Sequence, residues 1–329
     1  MSYKHLSLEE RYYIDIELKK GTSINAIAKA LGRPQGTISK EILRNKGKRG
    51  YRHKQAHQKS LQRCEEKIKS TKLTPTLCEK IKDALEKEQW SPEQMSGRWK
   101  RDENIEIHHK TIYRYIYEDK ARGGDLHTHL RHDGKTYRKR NHGLKKDIGI
   151  PDRVDIDERP EVANNRERLG DWEADTIIGK HHKGAVVTLD ERVSKLRLAY
   201  PLTRKKSEAV KNAIVALLNP LNNWVETITF DNGREFVEHA KAASALKCKT
   251  YFAKPYHSWE RGQNENANGL LRQYFPKAIE LHNIAVSKVI DAIDKLNSRP
   301  RKCLDWKTPY EVFEELSGMD ARIVVQGIR

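Results

Sequence analysis

Cysteine is scarce in this chain: Cys64, Cys78, Cys248 and Cys303 are scattered over 329 residues with neither a framework nor a metal-ligand spacing. That excludes a disulfide scaffold and points to free thiols in a reducing cytoplasm. It also argues against zinc, because the histidines do not pair with these thiols. Long apolar runs are missing as well. None approaches the roughly 20 residues of a membrane span, and the N-terminus lacks the apolar stretch of a secretory signal. Acid is in short supply: 46 Asp+Glu face 64 Lys+Arg, for a net charge of +18 and a pI near 9.6. Such an excess implies a polyanionic partner, since cationic surface gains affinity for nucleic acid by releasing condensed counterions. The imbalance is concentrated in residues 1–168, with 39 basic against 26 acidic, while residues 169–329 hold 25 against 20. Composition alone leaves a ribosomal or chromatin-type binder open.

What is present falls into segments. In residues 1–50, "SLEE" has the form of a capping box opening a helix with Leu8, Tyr12, Ile16 and Leu18. Ile27 and Leu31, then Ile38 and Ile42, mark two short helices around Gly32 and Pro34. That is a helix-turn-helix pattern. Its second helix would turn Gln35, Thr37, Lys40, Glu41 and Arg44 outward, toward a major groove. Residues 72–120 repeat the theme with Leu77, Ile81 and Leu85, a capping box at "SPEQ", and a helix carrying Lys110 and Arg114. His108 and His109 fit a cap or a phosphate contact better than a metal, as no acid or cysteine stands at ligand spacing. Residues 121–168 read as a basic linker, with Arg138, Lys139 and Arg140 available to DNA phosphates.

From Gly170 the pattern changes. "DWEADTIIGK", "GAVVTLDER" and "KLRLAYPL" are three short strands of an antiparallel meander. Helix, strand, helix and strand then alternate through "SEAVKNAIVALL", "TITF", "EFVEHAKAASAL" and "KTYFA", followed by helices near 263–275, 283–298 and 308–316. The expected architecture is multidomain α + α/β, with helix-turn-helix modules ahead of a mixed α/β sheet in residues 169–318 and a tail at 319–329. Three acids stand at strand ends or a helix start: Asp175 in "WEAD", Asp231 in "FDNG" and Glu265 in "GQNEN". Taken singly each has an ordinary explanation, as a solvated strand residue, a turn aspartate or a dipole-favoured helix start. Together, in so basic a chain, they match the carboxylates that hold two Mg²⁺ ions roughly 4 Å apart for phosphodiester chemistry.

The order "WEAD", "FDNG", "PYHSWERGQNEN" resembles the DDE integrase core shared by retroviral integrases and many bacterial transposases, whose fold is ribonuclease-H-like. The longer wording, with "GLLRQYFPK" and "LNSRPRKCLDWKTPYEVF", resembles the insertion-sequence-30 family of transposases over nearly the whole chain. The resemblance implies that Asp175, Asp231 and Glu265 are the catalytic, metal-binding triad, served by Mg²⁺ with Mn²⁺ as a substitute and no zinc. It draws attention to Arg272, nearly two helical turns after Glu265, and to Asn232 and Asn264 beside the acids, as DNA contacts. It implies a bacterial cytoplasmic, nucleoid-associated transposase that binds the terminal inverted repeats of an insertion sequence, cuts double-stranded DNA and joins 3′-hydroxyl ends to target DNA. A homodimer or higher oligomer would act on the two ends, with no membrane involved. The rival is a catalytically silent DNA-binding regulator on the same fold; a recombinase with a tyrosine nucleophile lacks its Arg…His-x-x-Arg…Tyr arrangement. Ala174 stands where the family usually has glycine, Glu260 stands where it has glutamine, and "GMDARIVVQGIR" matches no family segment.

Overall fold

A computed structural model of the chain describes residues 5–66, 73–131, 149–254 and 262–327. They divide into two compact units, within residues 1–72 and 73–329.

In the first unit, α1 (Leu8–Lys19) opens on the capping box: the Ser7 hydroxyl accepts from the Glu10 amide, and the Glu10 carboxylate accepts from the Ser7 amide at 2.7 Å. α2 (Ile24–Ala30) is capped by Ser23, and α3 (Gln35–Asn45) follows Pro34 with no side-chain cap. α4 (His53–Glu66) packs on α1 and α3, so the module continues past residue 50. Ile14, Ile27, Ala28, Ile38 and Ala56 form its core. The inward face of α1 is not the expected one: Leu8 is 42% and Tyr12 52% exposed, while Arg11, Ile14 and Asp15 are buried. Polar fasteners cause the rotation. Arg11 pairs with Glu41 of α3 at 2.7 Å and donates to Ser60 of α4, and Asp15 accepts from the His53 amide at the start of α4. Glu41 therefore turns inward, not toward a groove, whereas Gln35, Lys40 and Arg44 are exposed and Thr37 half-buried.

The second unit begins with α5 (Pro75–Glu86), α6 (Pro92–Glu103) and α7 (His109–Ala121), packed around Ile81, Leu85, Met95, Trp99, Ile112 and Ile116. Ser91 caps α6 in a capping box with Gln94, and His108 caps α7, its Nδ1 accepting from the Lys110 amide. Lys110 and Arg114 are exposed on α7. This helical layer is seated on the rest of the unit. Arg98 makes a two-pronged ion pair with Glu311 at 2.7 and 2.6 Å, and Gln94 donates to the Pro300 carbonyl. Gly97 lies so close to the Trp306 indole that a Cβ would stand 2.1 Å from its ring carbons.

The residues expected to form a solvated linker are built into the fold where they are described. Leu126 is buried in the helical core, and Ile150 and Ile156 are buried ahead of α8 (Glu161–Asn165). The Phe252 amide bonds the Val154 carbonyl, and buried Arg159 donates to Thr229 at 3.0 Å. Arg138, Lys139 and Arg140 lie outside the described residues.

The sheet has β1 (Asp171–Ile178), β2 (Ala185–Glu191) and β3 (Arg197–Leu202), then α9 (Ser207–Leu218), β4 (Thr227–Phe230), α10 (His239–Leu246) and β5 (Lys249–Phe252). Strand order is β3-β2-β1-β4-β5. The first three strands are antiparallel, and β4 and β5 run parallel to β1. This is the ribonuclease-H-like mixed sheet. Hairpins suffice for the antiparallel part, while each parallel return needs a crossover, supplied by α9 and α10. α11 (Gly262–Leu271) packs on β1 and α12 (Val286–Asn297) on β3, followed by α13 (Pro309–Ser317) and α14 (Ala321–Gly327). Trp172, Leu189, Ile228, Phe230 and Phe252 are buried in one continuous core. The segment set apart as a tail belongs to that core: Ala321, Val324 and Val325 are buried, and α14 packs on α12 and α13.

Candidate active site

Parallel pairing of β1 with β4 runs Asp171 to Thr227, Trp172 to Ile228 and Glu173 to Thr229. Continuing both strands by two residues brings Asp175 level with Asp231. Asp231 then follows the carboxyl end of β4, and Asp175 lies beside it within the central strand β1; an open α/β sheet offers its crevice at the carboxyl ends of its parallel strands. Each is fixed by a backbone amide: Asp175 Oδ1 accepts from Thr176 N at 2.8 Å, and Asp231 Oδ1 accepts from Gly233 N at 2.9 Å, an Asx-turn. Both are half-buried.

A hydrogen-bonded chain ties α11 to this pair. Asn268 Nδ2 donates to Asp175 Oδ2 at 2.8 Å, while its Oδ1 accepts from Arg197 Nη2 at 3.1 Å. Arg197 also holds the Ala267 carbonyl at 2.7 Å and is buried in an ion pair with Asp190 at 2.6 Å. Arg197 accordingly sets which way the Asn268 amide faces, and Asn268 sets the second oxygen of Asp175. Glu265 stands on α11 three residues before Asn268, which is nearly one turn. Its side chain lies outside the described residues. Among the described residues, no three His, Cys, Asp or Glu side chains converge in a metal-holding group.

On the opposite face of β1, Glu235 braces the two aspartate strands. It accepts from the Thr176 hydroxyl at 2.9 Å and from Lys205 at 2.5 Å, and it is itself buried. A Cβ on Gly233 would stand 2.4 Å from this carboxylate and 2.8 Å from Asp231 Oδ1, so the turn has no room for a side chain.

The other singled-out residues have identifiable places. Asn232 donates to the Ala253 carbonyl at 2.8 Å, joining the ends of β4 and β5. Asn264 is buried on α11. Arg272, just past α11, donates from Nη2 to the Ile178 carbonyl at 2.9 Å and from Nη1 to the Phe275 carbonyl at 3.3 Å, so one nitrogen fastens the end of α11 to the end of β1 and the other closes its own turn. Asn268, Glu235 and Arg197 escaped the sequence reading. Asn268 had a signal in its helical spacing from Glu265; Glu235 and Arg197 had none, because their partners are distant in sequence.

The sheet, its crevice aspartates and the preceding helical modules define an α + α/β protein of the integrase-core class. A helix-turn-helix domain model matches residues 2–45. The transposase for insertion sequence element IS4351 of Bacteroides fragilis is 43% identical over 95% of this chain and 96% of that protein. The transposase for IS1086 of Cupriavidus metallidurans is 35% identical over 98% of both chains. Transposase InsI for IS30A of Escherichia coli is 34% identical over 94% of this chain and 83% of that protein. Among solved structures, the catalytic core domain of BIV integrase matches with a TM-score of 0.35 and 20% identity, over 45% of this chain and 95% of that one. The chain belongs to the insertion-sequence-30 family of transposases. It is a DNA transposase by family, with an N-terminal helix-turn-helix. No described helix is long and apolar enough to cross a membrane.

Proposed function

We propose that this transposase binds the terminal inverted repeats of its element and hydrolyses one DNA strand there. It then directs the freed 3′-hydroxyl against a target phosphate, with Asp175, Asp231 and Glu265 as the catalytic carboxylates. The observation that carries this reading is the β1–β4 register, which continued by two residues sets Asp175 level with Asp231, together with α11 bonded to Asp175 through Asn268. The donor chemistry suits a hard divalent cation. Both aspartates offer carboxylate oxygens at a half-buried crevice, and one oxygen of each is already oriented by an amide. Mg²⁺, or Mn²⁺ in its place, would be held by Asp175, Asp231 and Glu265. Bound there, such ions lend Lewis acidity to the attacking and departing oxygens of an in-line displacement.

The protein's own part is to hold and orient. Asn268 and the Thr176 amide fix the two oxygens of Asp175, the Asp231 turn is closed by its own amide, and Glu235 keeps β1 and β4 in step. Helix α3 presents Gln35, Lys40 and Arg44, with Thr37 half-buried among them, to the major groove of double-stranded DNA; Lys110 and Arg114 give α7 a second basic face. Two ends must be joined in one reaction, so the active form is a homodimer or larger on DNA, in the bacterial cytoplasm.

The test compares wild type with Glu265→Gln on duplexes carrying the element's ends, in Mg²⁺. The variant is expected to protect the same positions while cleavage and strand transfer disappear. Cleavage by the variant at the wild-type rate refutes the assignment, and binding without cleavage by wild type favours a silent regulator.

A further inference from the structure

Where the helical layer meets the sheet, the second unit holds a buried positive charge that no acid among the described residues answers. Arg299, just beyond α12, is 5% exposed. Its guanidinium donates to Gln273 Oε1 at 3.0 Å, to Gln89 Oε1 at 2.9 Å and to the Tyr274 hydroxyl at 2.7 Å, all neutral groups, and its buried Nε has no partner. Arg301 follows the same pattern, with one bond to the Leu296 carbonyl and a buried, unpartnered Nε. Arg131, at the surface after the 3-10 turn Leu126–His129, reaches over α11; its Nη2 stands 3.7 Å from where a Gly269 Cβ would be. Among the described residues no carboxylate pairs with any of the three. Asp190, whose field acts on Arg301, is already committed to Arg197.

Buried cations without a counter-charge are costly and are seldom retained for packing alone. The cost registers in the groups themselves. Burial lowers the affinity of Arg299 for its proton, with Arg131 adding to the effect; burial together with Arg299 and Arg197 pushes Arg301 down to about 10. Amide and phenol oxygens orient the Arg299 fork without neutralising it, so its positive field adds to that of Arg131. Guanidinium groups suit a phosphate, which accepts the planar pair of N–H donors and supplies the missing negative charge.

We infer that Arg131, backed by the buried Arg299, forms a phosphate subsite beside α11 that takes a backbone phosphate of DNA bound across the junction of the helical layer and the catalytic sheet. The subsite deepens the transposase reading and rests on it for the source of the phosphate. Its consequence is positional. Gly269 follows Asn268, the residue bonded to Asp175, and projects about 100° round the helix from it, so a phosphate held by Arg131 fixes the DNA path along the neighbouring face of α11.

The test is a salt titration of duplex binding by the full-length chain, comparing wild type, Arg131→Gln, Arg131→Lys, Arg299→Gln and the Arg131→Gln/Arg299→Gln double variant. For wild type, log K falls with log salt in proportion to the phosphates neutralised, by about 0.9 per phosphate. Arg131→Gln is expected to lower that slope by about one and weaken binding, and Arg131→Lys to restore the slope. Arg299→Gln is expected to weaken binding alone and to add little once Arg131 is gone, because both act on one phosphate. A wild-type slope in Arg131→Gln overturns the subsite; should Arg299→Gln fail to fold, this arm decides by itself. A parallel melting series with inorganic phosphate separates the sources. Stabilisation by free phosphate that vanishes in Arg131→Gln, with an unchanged DNA slope, marks a small-anion site and refutes the DNA assignment. Wild type that binds no duplex at all refutes the transposase reading instead.

Discussion

Replacing Asn268 by alanine removes one bond to Asp175 and nothing else essential to the fold. Arg197, which loses its contact with Asn268 Oδ1, keeps Asp190 and the Ala267 carbonyl, so the buried cation remains satisfied. The stability cost is therefore small, about 1 kcal/mol. Asp175 loses the donor on Oδ2 and keeps the Thr176 amide on Oδ1. A hydrogen bond to a charged group contributes about 1.5–3 kcal/mol. With roughly 1.4 kcal/mol per factor of ten, cleavage should slow about 10- to 100-fold if that bond holds the carboxylate in its working orientation. The assay is single-turnover cleavage of end-containing duplex across a Mg²⁺ series, with melting curves alongside. The expected pattern is a slower step and a higher Mg²⁺ requirement at near-normal melting temperature. Asn268→Asp, which sets a second carboxylate against Asp175, should lose more activity and recover part of it as Mg²⁺ rises. Wild-type rates in Asn268→Ala at limiting Mg²⁺ would show that Asp175 needs no help from α11.

Two further outcomes test how the second unit is held together. The Arg98 guanidinium holds Glu311 down to about 2, well below its ordinary 4.5. Because the folded value is depressed, the stabilisation is complete above about 4.5 and is lost as pH falls from 4.5 toward 2. The pair is partly exposed, so it contributes about 1–2 kcal/mol and not the full ~3 that the shift alone implies. The melting difference between wild type and Glu311→Gln, which keeps the α13 cap, should shrink over that window, and a difference independent of pH would refute the pairing. Ending the chain at Asp320 removes buried Val324 and Val325 with α14. At about 1.5–3 kcal/mol per buried valine, urea unfolding should lose about 3–6 kcal/mol; an unchanged midpoint would show that α14 is dispensable.

Local chemistry is what the sequence displays openly. The capping boxes at Ser7 and Ser91, the strand run "TITF" ending at Asp231, and the excess of basic residues all appear in the folded chain as their short-range patterns demand. The face of α1 was misread because Arg11 and Asp15 look like solvated charges until their partners on α3 and α4 arrive. The last residues looked like a tail because "ARIVV" is too short to show a helical period, and only the core side of α12 and α13 gives its valines a place to bury.

By itself the sequence determined the class of the molecule: its polyanionic partner, its helix-turn-helix, its order of strands and helices, and the acids worth testing. Those follow from composition and from spacings of a few residues, which elementary geometry converts into faces and turns. Tertiary structure alone decided that Asp175 and Asp231 share a level, that Asn268 and Arg197 aim one of them, and that Arg131 and Arg299 gather at one junction. Such meetings depend on strand register and on which helix covers which face, and both are fixed by burying the whole core at once.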